Sequence, residues 1–514
     1  MPKDQAAPRL KAALEGAAAR DLRDLLARIR GAIAPATAAY LVGGAVRDLL
    51  NGSPPADLDL AVGGDARAAA QAVASALEGH AFALDEPRQQ HRVVLADESS
   101  IRYVDIAPLA GEIEADLAGR DFTIDAMAAP LAPEAGLGVL VDPLGGEGDV
   151  EAGIVRMTSE AALTADPLRL LRAVRLACEL DFQIEPETAA AVGRLAGRLS
   201  EAAPQRQRDE LVRILKSARA APALRLLDAL GLLAQLVPEL TAAHGVDQPP
   251  VHYWDVFDHS IETVAALDAL TAAAEPATPA ARSLQGVFRD GLAAFPLDGY
   301  LSGRAGGQSR RVLLKLAGLL HDVAKPETKG TDDEGHVHFL GHPELGAAQA
   351  AQICARLRFG NRETRFVSLL VEEHLRPFQL SNDDLPSHRA LYRYFRDLGE
   401  AAPACLILSL ADAAAAAGPR LKPDRWQRHV AYAAYVLDKG GPEGVVTQRP
   451  PRLLTGDDLM RELGLAPGPL VGRILAAIDE AAGSGEIGTQ AAALALAAAL
   501  KAESEAMQAR PGAA

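Results

Sequence analysis

Asp57 and Asp59 stand two residues apart in the run ADLDLAV (56–62). Alternation of Leu58, Leu60 and Val62 with the two acids predicts a half-buried strand, and residues i and i+2 of a strand share a face. Neighbouring carboxylates repel each other unless a cation lies between them. Hard oxygen ligands suit Mg²⁺, which usually arrives bound to phosphates. Just upstream, GGAVRD (43–48) supplies Gly43 and Gly44, which let a backbone approach a polyphosphate closely, and Arg47, which neutralises one. The chemistry implied is metal-dependent nucleotidyl transfer. A D-x-D pair alone also fits a strand with polar outward residues, and Gly-Gly alone fits a turn, so the combination carries the reading.

A second series is dispersed later in the chain: His259, His321-Asp322, His342, His374 and Asp412. One histidine on an apolar face is most often a core residue. Six ligand-type residues in this order instead suggest divalent cations. Imidazole with carboxylate suits Mn, Fe, Co or Ni, and Mg also fits.

Several elements must position these residues. Strands are predicted at 39–43, 57–62, 91–96, 101–107 and 136–143, with a helix over 67–77. From about 160 to 240 the pattern is helical. Asp166-Pro167 reads as a helix start, followed by Leu168, Leu171, Val174 and Leu180 at near-helical spacing. Residues 243–251 read as a linker, and 252–440 as helices. Within these, 274–310 reads as an insertion with a loop-like part and 328–335 as a loop. The RPPR run (449–452) reads as a break before a final helical module.

At 514 residues three or four domains are expected. Alanine richness with 4% aromatics predicts a mainly helical protein with a smaller α/β part. The net charge of −16 does not advertise an RNA binder, yet binding depends on local basic faces, and Arg169, Arg172, Arg175, Arg206, Arg208 and Arg213 cluster. Cys178, Cys354 and Cys405 form no C-x-x-C pair, so neither a zinc ribbon nor a disulfide framework is indicated and small core residues are expected. The N-terminus lacks an apolar signal core, and residues 487–500 are too short to span a bilayer. A cytoplasmic protein without membrane attachment is expected.

The runs LVGGAVRDLL, DLDLAV, VDIA, GRDFTIDAMA and ADPLRLLRAVR, in this order, resemble the bacterial class II CCA-adding tRNA nucleotidyltransferase and poly(A) polymerase family. The resemblance extends from about residue 38 to about residue 500. It implies an α+β fold: a polymerase-β-like nucleotidyltransferase head with a small mixed sheet (30–150), then an all-helical base-reading, RNA-binding neck (151–245), an HD metal phosphohydrolase domain (250–440) and a helical tail (450–505). The implied activity is template-independent addition of nucleotides from CTP and ATP to the tRNA 3′ end, with Mg²⁺ held by Asp57 and Asp59. Asp105 is the implied third carboxylate, and Gly43, Gly44, Arg47, Arg120 and Asp121 are implied nucleotide contacts. Asp48 orients Arg47, contacts metal-bound water, or simply starts a helix.

Asp166 and Arg169 match the family's base-reading motif. Three residues apart at a helix start, they share a face, and together they offer an acceptor and a donor fork to a base edge. The plain alternative is an N-cap with a paired arginine. Arg172 and Arg175 continue the same basic face and are further expected nucleotide contacts, and Arg206, Asp209 and Glu210 match a stretch that supports the pocket. Gly119, Asp125, Ala165 and Gln205 depart from the family pattern, where Arg, Asn, Glu and Glu are usual; the swap at 125 puts the hydrogen bond carried over there in doubt. Only about a dozen residues separate VDIA from GRDF, where many relatives carry a longer segment linked to the switch from C to A addition. That shortness, which also occurs in full-length relatives, suggests addition of CC alone.

The histidine series resembles HD-domain phosphohydrolases. His259, His321, Asp322 and Asp412 would hold one metal, with His342 and His374 helping to hold a second, for hydrolysis of phosphate esters. Glu373 stands where relatives often have another His. The runner-up within the family is a poly(A) polymerase. In another class it is an HD phosphohydrolase with a non-catalytic, RNA-binding head.

Overall fold

Leu58 and Leu60 face Val104 and Ile106 across a parallel strand pair, and Leu60 faces Leu41 across an antiparallel one. These apolar rows form the centre of a seven-stranded mixed sheet. The computed structural model describes residues 17–508 with Leu10 and Leu14, apart from 96–100, 133–135, 381–384 and 441–451. The described residues fall into two compact units, one reaching Ile214 with Leu226–Leu236, the other comprising Leu215–Arg225 with Val237 onward.

In the first unit the strands are β1 (Ala39–Val42), β2 (Leu58–Val62), β3 (His80–Asp85), β4 (Gln90–Val94), β5 (Tyr103–Pro108), β6 (Ala128–Ala132) and β7 (Gly136–Leu137). Their spatial order is β3-β4-β5-β2-β1-β6-β7. Helix α1 (Ala17–Ala32) precedes the sheet, α2 (Gly44–Leu50) follows β1 and α3 (Ala66–Ala76) follows β2. Asp65 caps α3 by accepting from the amides of Arg67 and Ala68. A short α4 (Ile113–Ala118) follows β5. Its Ile113 and Leu117 pack with Val42, Ala61, Ala126 and Ala128. Beyond the sheet lie α5 (Glu160–Ala165), α6 (Leu168–Leu180) and α7 (Pro204–Lys216).

In the second unit α8 (Val256–Thr271), α9 (Pro279–Gly291), α10 (Leu297–Ser302), α11 (Arg310–Leu320), α12 (His342–Arg356), α13 (Asn361–Glu373) and α14 (Ala402–Ala417) precede the tail helices α15 (Gly456–Leu463), α16 (Pro469–Gly483) and α17 (Gln490–Gln508). A buried Lys315–Asp268 pair at 2.6 Å joins α11 to α8, and Asp268 also accepts from the Ala221 amide. One stretch, 388–420, is apolar enough to cross a membrane by length and composition, but 83% of that window is buried within the protein. Its α14 is a core helix.

The structure corrects several expectations. β2 begins at Leu58, so Asp57 precedes the strand and is exposed. Strands β3 and β6 were not foreseen: β3 is an exposed edge strand, and β6 (AAPLA) has little β propensity. The strand expected at 136–143 shrinks to two residues paired with β6, although Val141 makes an isolated bridge to Ala128. Two helices, α9 and α10, occupy much of 274–310, with Thr278 capping α9 and Pro279 in its first turn. The run at 328–335 contains strand β8 (Lys329–Thr331), paired with β9 (Val337–Phe339). The predicted strand end at 96 and the break at 449–451 lie outside the described residues.

Two candidate active sites

The sheet register builds the first site. Val42 faces Asp59 across β1–β2, Asp59 faces Asp105 across β2–β5, and Asp105 faces Arg92 across β5–β4. Facing residues lie on one side of a sheet. Burial, then Asp57 and Asp105, push the Asp59 carboxyl up to about 6. Gly43 makes the turn from β1 into α2 at φ 71°, and a Cβ there would lie 3.0 Å from the Arg120 guanidinium and 3.5 Å from Asp59 Oδ2. Glycine is thus required by conformation and by space.

Arginines ring this acid group. Arg47 donates to Asp48 Oδ1 at 2.7 and 2.9 Å and to Asp125 Oδ1 at 2.5 Å. Burial works against its charge, but Asp125 and Asp48 outweigh that. Asp48 therefore orients Arg47, and the carboxylate at 125 takes an arginine where an amide would have served. Arg120 donates to Asp116 and to the Asp125 carbonyl. Arg172 lies 3.1 Å from Asp121 and also feels Asp125, Glu210 and Asp59.

The alternative in which Arg169 pairs with Asp166 does not form. Asp166 instead accepts from Arg206 at 2.7 Å, which holds its carboxyl below the usual range despite burial. Arg169 donates to the carbonyls of Gly119 and Ala162. Arg175, expected to bind nucleotide, is buried against Glu210 at 2.7 Å and Glu179 at 2.6 Å, where it packs α6 on α7.

Helix ends build the second site. His321 and His374 cap the C-termini of α11 and α13, and His342 begins α12. Each Nδ1 lies 2.7–2.8 Å from the carbonyl three residues earlier, of Gly318, Val371 and Phe339. Those carbonyls require the proton on Nδ1, so the neutral rings of His342 and His374 leave Nε2 as a lone-pair donor, whereas His321, whose pKa burial lowers but Asp322 and Asp412 raise overall, would yield its Nε2 proton to a bound cation. Burial keeps His342 down and pushes His374 down to about 4, so both are neutral.

The six predicted residues converge. His259 Nε2 lies 3.2 Å from His321 Nε2, 3.0 Å from Asp412 Oδ1 and 3.4 Å from Asp322 Oδ2. His342 Nε2 lies 3.4 Å from His374 Nε2 and 3.4 Å from Asp322 Oδ1. Ligand atoms thus gather in two groups, His259–His321–Asp412 and His342–His374–Asp322. Asp322 reaches both: its Oδ2 faces the first group and its Oδ1, buried with no hydrogen-bond donor, faces the second. This donor set fits two divalent cations.

Sequence reading missed four participants. Arg92 holds Asp105, Lys325 lies 2.6 Å from Asp322, Gln248 accepts from Lys325 at 2.7 Å, and the His252 ring packs edge-on against His259. Lys325, three residues beyond Asp322 in HDVAK, was readable from spacing; the others needed tertiary contact.

The raised Asp59 pKa has a testable sign. A folded head that binds a proton at about pH 6 loses stability as pH rises from the ordinary carboxylate range through that value, unless a cation takes the proton's place. The part of the Mg²⁺-induced rise in Tm that is lost in Asp57→Asn/Asp59→Asn protein is expected to grow as pH climbs through about 6. A pH-independent rise contradicts this.

The chain matches three families: Poly A polymerase head domain over 39–156, Probable RNA and SrmB- binding site of polymerase A over 181–244, and HD domain over 256–417. It is 37% identical to an A-adding tRNA nucleotidyltransferase of Deinococcus radiodurans, covering 88% of this chain and 93% of the relative. It is 35% identical to a CC-adding tRNA nucleotidyltransferase of Thermus thermophilus, covering 88% and 91%. The fold is similar to that of a CCA-adding enzyme solved in complex with CTP (TM-score 0.59, 20% identity, covering 96% of this chain and 98% of that one). It is also similar to that of the Thermotoga maritima CCA-adding enzyme complexed with tRNA (TM-score 0.55, 19% identity, covering 97% and 98%). The α+β sheet head, its acid row and arginine ring, and the helical HD portion that follows place this chain in the tRNA nucleotidyltransferase and poly(A) polymerase family.

Proposed function

We propose that the chain transfers nucleotides from CTP or ATP to tRNA 3′ ends through its head, and hydrolyses phosphate esters through its HD domain. The observation that carries the first reading is the row Asp59–Asp105 with Asp57 beside it, set against the Gly43 turn and the guanidinium groups of Arg47 and Arg120. Asp57 and Asp59 would hold Mg²⁺, which when bound offsets triphosphate charge and sharpens an attacking hydroxyl. Gly43 and Gly44 let the backbone approach the phosphates, and Arg47, Arg120 and Arg172, already directed by acids, supply compensating charge. The RNA 3′-hydroxyl attacks the α-phosphate and pyrophosphate leaves.

Base choice falls to the Asp166–Arg206 pair and to Arg169, which present an acceptor and donors without a nucleic-acid template. In the HD domain the same logic holds: His259, His321, Asp322 and Asp412 would hold one divalent cation, and His342 and His374, with Asp322, a second. Lys325 supplies a positive charge beside them.

One observation favours a narrower product. The segment between β5 and Arg120 is short, and α4 occupies it, with Ile113 and Leu117 packed into the sheet's core. The longer segment that many relatives carry is absent between β5 and Arg120, which supports addition of CC alone. Sequencing the products made on two tRNAs, one ending at the discriminator base and one ending in CC, with CTP and ATP supplied, tests both levels. CC added to the first and nothing to the second is expected. A complete CCA end, or A added to the second, defeats the CC-only reading; long A tails favour poly(A) synthesis; no incorporation on either defeats the head assignment.

A further inference from the structure

Asp105 is the acid beside Asp59 on the same sheet face, yet both of its oxygens are taken. Arg92 Nε donates to Oδ1 at 2.7 Å and Nη2 to Oδ2 at 2.7 Å. This is the bidentate fork that matches guanidinium to carboxylate best. The register explains it: Arg92 on β4 faces Asp105 on β5, which faces Asp59 on β2. The Tyr103 ring, 4.6 Å from the guanidinium carbon, backs the arginine. Asp59 and Asp105 would otherwise face each other as two bare charges, with the exposed Asp57 beside them. Asp105 is 7% exposed and Asp59 half-buried, so an unclamped third charge would be costly.

We infer that Arg92 is a positioning residue of the nucleotidyltransferase site: it turns Asp105 toward β4 and neutralises it, so that the nucleotide-free head grips its first cation with Asp57 and Asp59 alone. A carboxylate spent on a bidentate arginine is a poor Mg²⁺ ligand, because the cation would have to displace a charge-assisted fork. The row of acids is thus divided: two oxygen donors are open to a cation and the third is held in reserve by its neighbour strand.

The inference rests on the nucleotidyltransferase reading of the head, and its test separates the two. Mn²⁺ binding to full-length protein is followed by loss of the free-ion EPR signal, without nucleotide or RNA. The binding component that disappears in an Asp57→Asn/Asp59→Asn protein defines the head site; if none disappears, the head reading itself fails. With that component defined, Arg92→Gln is expected to tighten Mn²⁺ there by about tenfold, because it frees a carboxylate to join the site. Adding Asp105→Asn to Arg92→Gln is expected to return the affinity to the wild-type value. That double variant, with a neutral amide pair in place of the ion pair, also shows that the head still folds. Asp105→Asn alone leaves the Arg92 charge unpaired and is expected to weaken Mn²⁺ there, by less than Arg92→Gln tightens it. An affinity in the double variant well below the wild-type value would show Asp105 already acting as a ligand and overturn the inference. So would unchanged or weaker binding in Arg92→Gln.

Discussion

Asp59→Asn is expected to lower nucleotide incorporation into tRNA by about a thousandfold or more, with phosphate-ester hydrolysis unchanged. Asp59 is the acid with most to lose. It sits at the centre of the row, between Val42 and Asp105, and its carboxyl is already pushed up to about 6 by burial and by its acidic neighbours. A group so placed gains more than a solvated one from a divalent cation, and its replacement removes that gain. Asparagine keeps the size and relieves repulsion within the acid group, so the fold is not the casualty. Stability equal to or above that of the wild type, with incorporation gone, separates a lost site from a lost structure. Incorporation within tenfold of the wild-type rate contradicts the assignment.

Asp322→Asn is expected to produce the reverse pattern: hydrolysis of cyclic phosphates and phosphomonoesters falls by about a thousandfold, and incorporation persists. Asp322 alone offers an oxygen to both ligand groups, 3.2 Å from His321 Nε2 on one side and 3.4 Å from His342 Nε2 on the other. Burial would raise its pKa, but His321 and Lys325 hold it well below the usual range, so it is a charged ligand. Asparagine keeps a contact for Lys325 but removes the bridging charge. Losing one peripheral ligand, such as His342, weakens one group; losing Asp322 weakens both. Hydrolysis assays with Mg, Mn, Co and Ni each supplied check this. Wild-type turnover in the variant, or joint loss of both activities, breaks the two-site account.

The sequence exposed the sites better than it exposed the walls around them. Asp57, Asp59 and the six HD residues were legible because ligand chemistry is written in residue type and spacing, and the structure gathers the six into two groups. The strands at 39–43, 57–62 and 101–107 were legible because buried strands carry unbroken apolar rows. β3 was not: as an exposed edge strand it needs no apolar face, and HAFALD lacks a clean alternation. β6 was hidden by three alanines and Pro130, residues that join the sheet by pairing with β1 and β7. The loop-like reading of 274–310 rested on its richness in Pro, Gly and Ala, whereas Pro at a first helical turn, as Pro279 is, starts a helix.

Pairings between charged residues were the least legible. Nothing in sequence separates Asp166–Arg169, three residues apart, from Asp166–Arg206, forty apart. Local spacing permits the first; packing of α6 against α7 creates the second. Arg175 shows the same limit, since its place in a basic stripe suggested a nucleotide contact and its burial against Glu210 gives it a packing role. Arg92 carried no signal at all until the β4–β5 register placed it opposite Asp105.

The most direct measurement is anomalous scattering from crystals grown with Mn²⁺ and a non-hydrolysable CTP analogue. The account predicts Mn²⁺ between the Asp57 and Asp59 carboxylates with the triphosphate over the Gly43 turn, and separate Mn²⁺ within the His259–His321–Asp322–Asp412 group. Nucleotide bound away from Asp57 and Asp59, with no Mn²⁺ on either, would contradict it.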